Sequence, residues 1–108
     1  MVNAEQLRGN LDLLVLKTLS RGPLHGYGVA QHLLQVSGNA LHIGEGSLYP
    51  ALQRLLVNGW TSAEWRLSET GRRARYYTLT NAGRKRLKEE EREFERMVQT
   101  IQLVLEAK

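Results

Sequence analysis

The sequence predicts a mainly α-helical fold with one β-hairpin and a long helix at its end. Three observations predict this class. Apolar residues recur at helical spacing in three segments of the first 60 residues. Two strand-like segments rich in aromatic residues, threonine and arginine then flank a turn that contains glycine. Residues 81–108 finally carry apolar side chains spaced one heptad apart.

The composition limits the classes of protein to be considered. At 108 residues the chain has the size of one ordinary domain, and its formal net charge is +4. It contains no cysteine, which excludes disulfides, thiolate metal sites and a cysteine nucleophile. The apolar runs are too short for a signal peptide or a membrane span, so we expect a cytoplasmic protein with no membrane partner.

The residues that could carry chemistry do not favour an enzyme. His25, His32 and His42 have no metal-ligand spacing with carboxylates. No nucleophile elbow surrounds a serine, and the sequence GEG at residues 44–46 is too short for a phosphate loop. We therefore predict neither catalysis nor a cofactor or metal.

The first predicted helix covers residues 4–20 and is apolar on nearly every side. Such a helix must be buried on more than one face. One face can pack in the core of its own domain, whereas the other needs the C-terminal helix or a second subunit. Leu11 and Val15 are accordingly expected in a dimer interface, and Gly22-Pro23 ends the helix.

The second predicted helix covers residues 25–36 and begins with two glycines, each of which costs about 1 kcal/mol relative to alanine inside a helix. Two explanations remain open. The bare N–H groups of this helix start, with His25, Gly26 and Tyr27, would bind a phosphate. Alternatively, another helix packs tightly over the glycines.

The third predicted helix lies within residues 44–60. Ser47 is the expected N-cap, Pro50 falls in the first turn, and Asn58-Gly59 ends the helix. Leucines follow the i, i+4, i+7, i+8 rule on one side. The opposite side carries small and hydrogen-bonding residues, which indicates a contact surface: Ser47, Tyr49, Ala51, Gln53, Arg54 and Asn58. For Tyr49, packing on the hairpin is the alternative.

Two helices joined by a short connector, the second with a polar outer face, match a helix-turn-helix plan. A hairpin that follows such a pair is called a wing. Residues 60–67 and 74–79 predict its strands, and residues 68–73 its turn. Four arginines crowd this segment, which suggests contact with a polyanion, although a solubilising loop is an equally open alternative: Arg66, Arg72, Arg73 and Arg75.

The last predicted helix is capped by Thr80 or Asn81 and carries an apolar stripe toward its end. The stripe residues proposed for dimerisation are Phe94, Met97, Val98, Ile101, Val104 and Leu105. A second copy of the chain would cover this stripe, unless the helix folds back on the first helix. The expected organisation is a DNA-binding domain at residues 1–80 and a dimerisation helix at residues 81–108.

Several of these segments together resemble the PadR family of bacterial transcriptional regulators. They are LHGY at residues 24–27, SLYPALQRL at 47–55, GW at 59–60 and RRARYYTLTNAG at 72–83. The resemblance covers nearly the whole chain and indicates the subgroup with a single C-terminal helix. Some relatives use a tryptophan in that helix to hold flat ligands, where this chain has Phe94.

The resemblance implies a winged helix-turn-helix repressor that binds palindromic, double-stranded operator DNA as a homodimer and is released by a small molecule or a stress signal. Twofold symmetry would place two third helices about 34 Å apart in successive major grooves. The expected DNA-binding residues are His25, Gly26, Tyr27, Ser47, Tyr49, Gln53, Arg54, Arg72, Arg73 and Arg75. The alternative is a winged-helix dimer that binds a ligand or a protein partner without binding DNA.

Overall fold

A computed structural model describes residues 2–3, 6–7 and 9–108. Within them the order of elements is β1 (Val2–Asn3), α1 (Leu11–Leu19), β2 (Leu24–His25), α2 (Gly26–Val36), β3 (Leu41–His42), α3 (Glu45–Val57), β4 (Thr61–Leu67), β5 (Arg73–Leu79) and α4 (Asn81–Glu106). The mainly α-helical class with one hairpin, predicted from the sequence, is confirmed.

The larger sheet is antiparallel, with strand order β2-β5-β4. Leu24 pairs with Tyr77, and the hairpin register runs from Thr61 opposite Leu79 to Leu67 opposite Arg73. Gly71 closes the hairpin turn at a φ of +81°, a conformation that favours glycine. We refer to residues 61–79 as the wing. A second, minor pairing joins β1 and β3 in parallel.

The core lies where α1 meets the other helices and the base of the sheet. Each helix contributes one apolar face, because leucine and valine recur there at helical spacing. The largest side chains that are almost completely buried are Val15, Leu16, Leu19, Val29, Leu48, Leu52 and Leu55. This core fixes α2, α3 and the wing relative to one another.

Helix α1 begins later than the sequence predicted. It starts at Leu11 with Asn10 as its N-cap, because Gly9 adopts a φ of +91° that a helix cannot continue through. The predicted start at Ala4 lies outside the described residues. The predicted end is confirmed, since the chain leaves the helix at Ser20 and Gly22 takes a φ of +146°.

Helix α3 begins earlier than predicted. Gly44 is the N-cap in an extended conformation, so the assignment of Ser47 as N-cap is wrong; its N–H donates to the Gly44 carbonyl within the first turn. Pro50 consequently lies inside the helix, beyond its first turn. Ala51 was expected to face outward but is fully buried, because it shares the side of Leu48 and Leu55.

Helix α4 extends well beyond the core. Thr80, one of the two predicted caps, caps it through its hydroxyl, and its 26 residues span about 39 Å. Leu87 near its start is buried, whereas the side chains after Glu91 are mostly exposed. The radius of gyration is therefore 15.2 Å, against about 13 Å for a compact chain of this length. Of the helices described, none has the length and apolar character to cross a lipid bilayer.

Candidate nucleic-acid interface

The exposed face of α3 contains residues that the sequence prediction did not include. Residues of an α-helix advance by about 100° each, and the buried leucines define the inner side. Opposite them lies an outer ridge formed by Gly46, Pro50, Gln53 and Val57, all exposed. Gln53 is the side chain on this ridge that can hydrogen-bond a base edge. The sequence prediction did not include Gly46, Pro50 and Val57, because it looked for the outer face of the helix mainly among polar residues.

Tyr49 lies on the flank of α3 that faces α2. A Cβ atom added to Gly26 would lie 3.1 Å from the Tyr49 ring and 3.4 Å from Leu52, so the absence of a side chain at Gly26 favours this close approach. Tight helix packing thus explains the first glycine of α2. Tyr49 thus packs on the start of α2, and about half of it remains exposed.

His25 caps the start of α2. Its Nδ1 accepts a hydrogen bond from the Gly28 N–H at 3.0 Å, which requires that nitrogen to be unprotonated. The ring proton therefore sits on Nε2, which is left as a donor. The imidazole also packs edge-on against Tyr76 of the wing at 5.1 Å between centroids. This contact ties the start of α2 to the wing.

Tyr27 is the most exposed aromatic residue of α2, at 68%. Its hydroxyl oxygen accepts a hydrogen bond from Gln31 Nε2 at 2.6 Å. The hydroxyl proton remains available for an anionic oxygen. His25, Gly26 and Tyr27 are thus brought together at one helix start, with Gly26 buried and Tyr27 on the surface.

Arg54 lies on the other flank of α3 and faces α1. Its Nη2 donates to Asp12 Oδ1 at 2.8 Å, and its Nε lies 3.5 Å from Oδ2. The hydrogen bond to Asp12 raises the pKa of Arg54, and the negative charge of Asp12 acts in the same direction. The only cationic residue of α3 is therefore already engaged within the chain, although half of it is exposed.

The four arginines of the wing lie at or near its tip, with Arg66 on the face opposite to that of Arg73 and Arg75. Arg72 and Arg73 are exposed, whereas Arg75 is partly buried, with its guanidinium 5.9 Å from the centre of the Tyr77 ring. Arg66 lies 4.3 Å from the centre of Tyr76. Stacking of this kind orders a guanidinium without neutralising its charge. The tip is therefore a cationic surface.

The apolar stripe of α4 lies on the surface of the protomer. Phe94, Met97 and Ile101 are 40–49% exposed, and exposure rises to 71–77% at Val104 and Leu105, while Val98 is partly buried. Leu11 and Val15 behave differently. Both are buried in the core of their own chain, so their assignment to a dimer interface is corrected.

The three helices, the two-stranded wing and the protruding last helix define a winged helix-turn-helix protein. The sequence profile of the transcriptional regulator PadR-like family matches residues 15–89. The chain belongs to this family, whose members regulate transcription and are not enzymes. In the described part of the chain, no three His, Asp or Glu side chains are grouped so that they could hold a metal ion.

Solved structures and a sequence relative are similar to the chain over most of its length. A transcriptional regulator from Clostridium thermocellum is 29% identical with a TM-score of 0.83, covering 92% of this chain and 96% of that one. A PadR family transcriptional regulator from Eggerthella lenta is 30% identical with a TM-score of 0.83, covering 96% and 88%. A transcriptional regulator of Mycobacterium tuberculosis is 32% identical, covering 87% of this chain and 84% of the relative.

Proposed function

We propose that the protein is a sequence-specific DNA-binding regulator, and that residues 1–80 form its DNA-binding domain. The observation that carries this proposal is the juxtaposition of three surfaces on one rigid core: the exposed ridge of α3, the start of α2 and the arginines of the wing. A ridge of small residues suits entry into a major groove, and Gln53 supplies base recognition there.

The wing and the start of α2 supply contacts to the DNA backbone. Exposed arginines bind phosphates regardless of sequence and release counterions, so they contribute affinity rather than selectivity. Tyr27 and the Nε2–H of His25 add hydrogen-bond donors at a helix N-terminus, where the backbone also favours anions. Ser47, Tyr49 and Arg54, on the flanks of α3, complete the proposed contact surface.

The protein acts in this proposal as a homodimer that pairs through residues 81–108. The α4 stripe has a and d positions at Phe94, Met97, Ile101 and Val104, which is the spacing of a two-helix seam. An exposed apolar stripe of this length is costly in water unless a second copy covers it. Twofold symmetry then calls for a palindromic operator.

We further propose that the dimer represses transcription and that a small molecule or a stress signal releases it. The start of α4 is joined to the end of α3, because the Thr80 hydroxyl donates to the Gly59 carbonyl at 2.7 Å and the Thr80 N–H donates to that of Trp60 at 3.1 Å. A ligand that alters the pairing of α4 would therefore change the spacing of the two α3 helices.

A gel-shift titration with DNA from the promoter of the protein's own gene tests the proposal, together with a measurement of mass in solution. We expect retardation that persists in excess unrelated DNA, by a species with the mass of two chains. A dimer that retards no DNA would favour the alternative of a ligand-binding or protein-interaction module. A monomer without retardation would overturn both parts.

A further inference from the structure

Arg86 of α4 lies between its own helix and the segment that follows α3. Its guanidinium carbon is 4.9 Å from the centre of the Trp60 ring. Its Nη2 donates to Glu90 Oε1 at 2.7 Å, and its Nη1 lies 3.6 Å from Glu89 Oε2. The guanidinium is therefore held on one side by an aromatic ring and on the other by two carboxylates of α4.

The Arg86 side chain is largely enclosed, and its hydrogen-bonding capacity is only partly used. It is 31% exposed, and its partner Glu90 is 15% exposed. The Arg86 Nε is buried and has no hydrogen-bond partner among the residues that the structure describes. An unpaired buried donor weakens a fold. Pairing of charges thus does not by itself account for an arginine here, and its planar group over Trp60 favours a role in geometry.

Trp60 is joined to α3 and to α4 through its backbone. Its N–H donates to the Leu55 carbonyl at 3.0 Å, and its carbonyl accepts a hydrogen bond from the Thr80 N–H at 3.1 Å. The side chain of Trp60 packs against the core. Trp60 therefore keeps a fixed position relative to α3, and a side chain that holds α4 against Trp60 also holds α4 against α3.

The buried residues of α4 leave its rotation to be fixed by other contacts. Gly83 and Leu87 are buried and seat α4 along one line on the core, about which a helix can roll. Because residues advance by about 100° each, Arg86 projects about 60° to one side of Gly83 and Glu91 about 80° to the other. Glu91 lies 3.9 Å from Lys17 of α1, and both are so exposed that their pairing contributes little. Arg86 is therefore the stronger of the two braces.

We infer, on the basis of the proposed function, that Arg86 is a positioning residue. It fixes the angle between α4 and α3, and thereby the spacing of the two half-sites that a dimer paired through α4 accepts. A roll of about 10° would move the far side of the protein, which measures 30 Å in its second dimension, by about 5 Å. Base pairs are about 3.4 Å apart along duplex DNA, so such a roll exceeds one base-pair step.

Duplexes of altered spacing test this inference. They are the promoter fragment retarded in the gel shift and two versions with one base pair inserted or removed at its centre. The wild type should bind the natural spacing at least about tenfold more tightly than the altered ones. In Arg86→Met, which keeps an unbranched side chain but no guanidinium, this ratio should fall below about threefold. Arg86→Lys keeps the charge without the planar group and should lie between.

The matched control is Lys85→Met, which removes the same charge from the exposed side of α4 and should keep the wild-type ratio. A merely structural role of Arg86 would weaken binding to all three duplexes alike and leave the ratio unchanged, and that result overturns the inference. Circular dichroism checks that each variant is folded, and Arg86→Lys carries the test if Arg86→Met is not.

A distance measurement without DNA examines the angle directly. The chain contains no cysteine, so Gln53→Cys and Gln99→Cys attach one spin label to α3 and one to α4. An excess of unlabelled protein ensures that pulsed electron paramagnetic resonance records distances within one chain. Arg86→Met should make the distance distribution at least about twice as wide, whereas Lys85→Met should leave its width unchanged. An unchanged width in Arg86→Met also overturns the inference.

The outcomes separate the inference from the proposed function. If the wild type binds no DNA, the proposed function fails, and the distance measurement still decides whether Arg86 fixes α4 against α3. If the wild type binds DNA and Arg86→Met keeps both the spacing ratio and the width of the distribution, the inference fails and the proposed function stands.

Discussion

Arg54 of α3 and Asp12 of α1 form an ion pair that joins the two helices, with 2.8 Å between Arg54 Nη2 and Asp12 Oδ1. The two residues are 42 positions apart in the sequence. The pair orients the only cationic side chain of α3 along the flank of the helix. Gln53, not Arg54, is therefore the polar side chain on the outer ridge. In the proposed complex with DNA, selection of bases by α3 should consequently depend on hydrogen bonding and shape more than on charge.

The Asp12–Arg54 pair should contribute modestly to stability. A double-mutant cycle with Asp12→Asn and Arg54→Gln should give a coupling of about 0.5–1 kcal/mol in chemical denaturation, because the pair is well aligned but half exposed. The control cycle uses Lys17 and Glu91, which are 3.9 Å apart and more exposed, and should give a coupling near zero. Equal coupling energies for the two pairs would contradict the expectation that the closer alignment of Asp12 and Arg54 adds stability.

The same pair predicts how stability should respond to alkaline pH. Folding raises the pKa of Arg54 above its ordinary value, chiefly through the hydrogen bond to Asp12. A cation whose pKa is raised by folding contributes its stability below the unfolded pKa and loses it only as the pH rises through the folded pKa. The contribution of Arg54 should therefore stay constant from pH 6 to 9, as unfolding of wild type and Arg54→Gln at each pH would show. A difference between the two that changes across this range would contradict the assignment.

The tip of the wing should account for most of the salt dependence of DNA binding. Replacing Arg72 and Arg73 together by alanine should weaken binding to all sequences alike and flatten the salt slope by about two units per subunit. The control replaces Arg92 and Arg96 on the protruding part of α4, where no loss of slope is expected. An unchanged slope in the wing variant would remove these arginines from the interface.

Gly83 should tolerate no side chain. A Cβ atom there would overlap the Trp60 carbonyl oxygen and lie 2.7 Å from Leu79, so Gly83→Ala should cost about 2 kcal/mol or more in unfolding free energy. Gly46 is the matched control, because it also lies in the first turn of a helix but has open space around it. Gly46→Ala should raise stability by up to about 1 kcal/mol. Similar effects at both positions would contradict the close packing of α4 on Trp60.

How far the sequence predicted this fold can be judged from helix ends. Thr80 was one of two predicted caps, because a side-chain hydroxyl just before a helix commonly accepts a hydrogen bond from a free N–H of the first turn. Asn58-Gly59 was predicted to end α3 because glycine commonly follows a helix, and Gly59 indeed has a φ of +75°. Ser47 was misassigned by the rule that was applied to Thr80. A glycine can also serve as an N-cap, and only the packing of Leu48 against the core decides that α3 starts at Glu45.

The candidate site was predicted in part for a related reason. The cluster of arginines in the wing could be predicted because charge is a local property of a sequence. The Asp12–Arg54 pair and the contact of Arg86 with Trp60 depend on which segments meet. Neither follows from spacing within one element. Val15 shows the same limit, since an apolar helix does not reveal which of its faces is already covered by its own chain.

The α4 stripe should hold two chains together. Ile101→Asp places a charge at an a position of the stripe and should shift the mass in sedimentation from two chains to one, because a carboxylate cannot be buried in an apolar seam without a partner. Affinity for a palindromic operator should fall with it, since two linked half-sites bind far more tightly than one. Gln99→Asp introduces the same charge on the outer side of the same helix and should leave both mass and affinity unchanged. Dissociation by both variants would point to charge repulsion along α4, and dissociation by neither would place the dimer interface elsewhere on the protein.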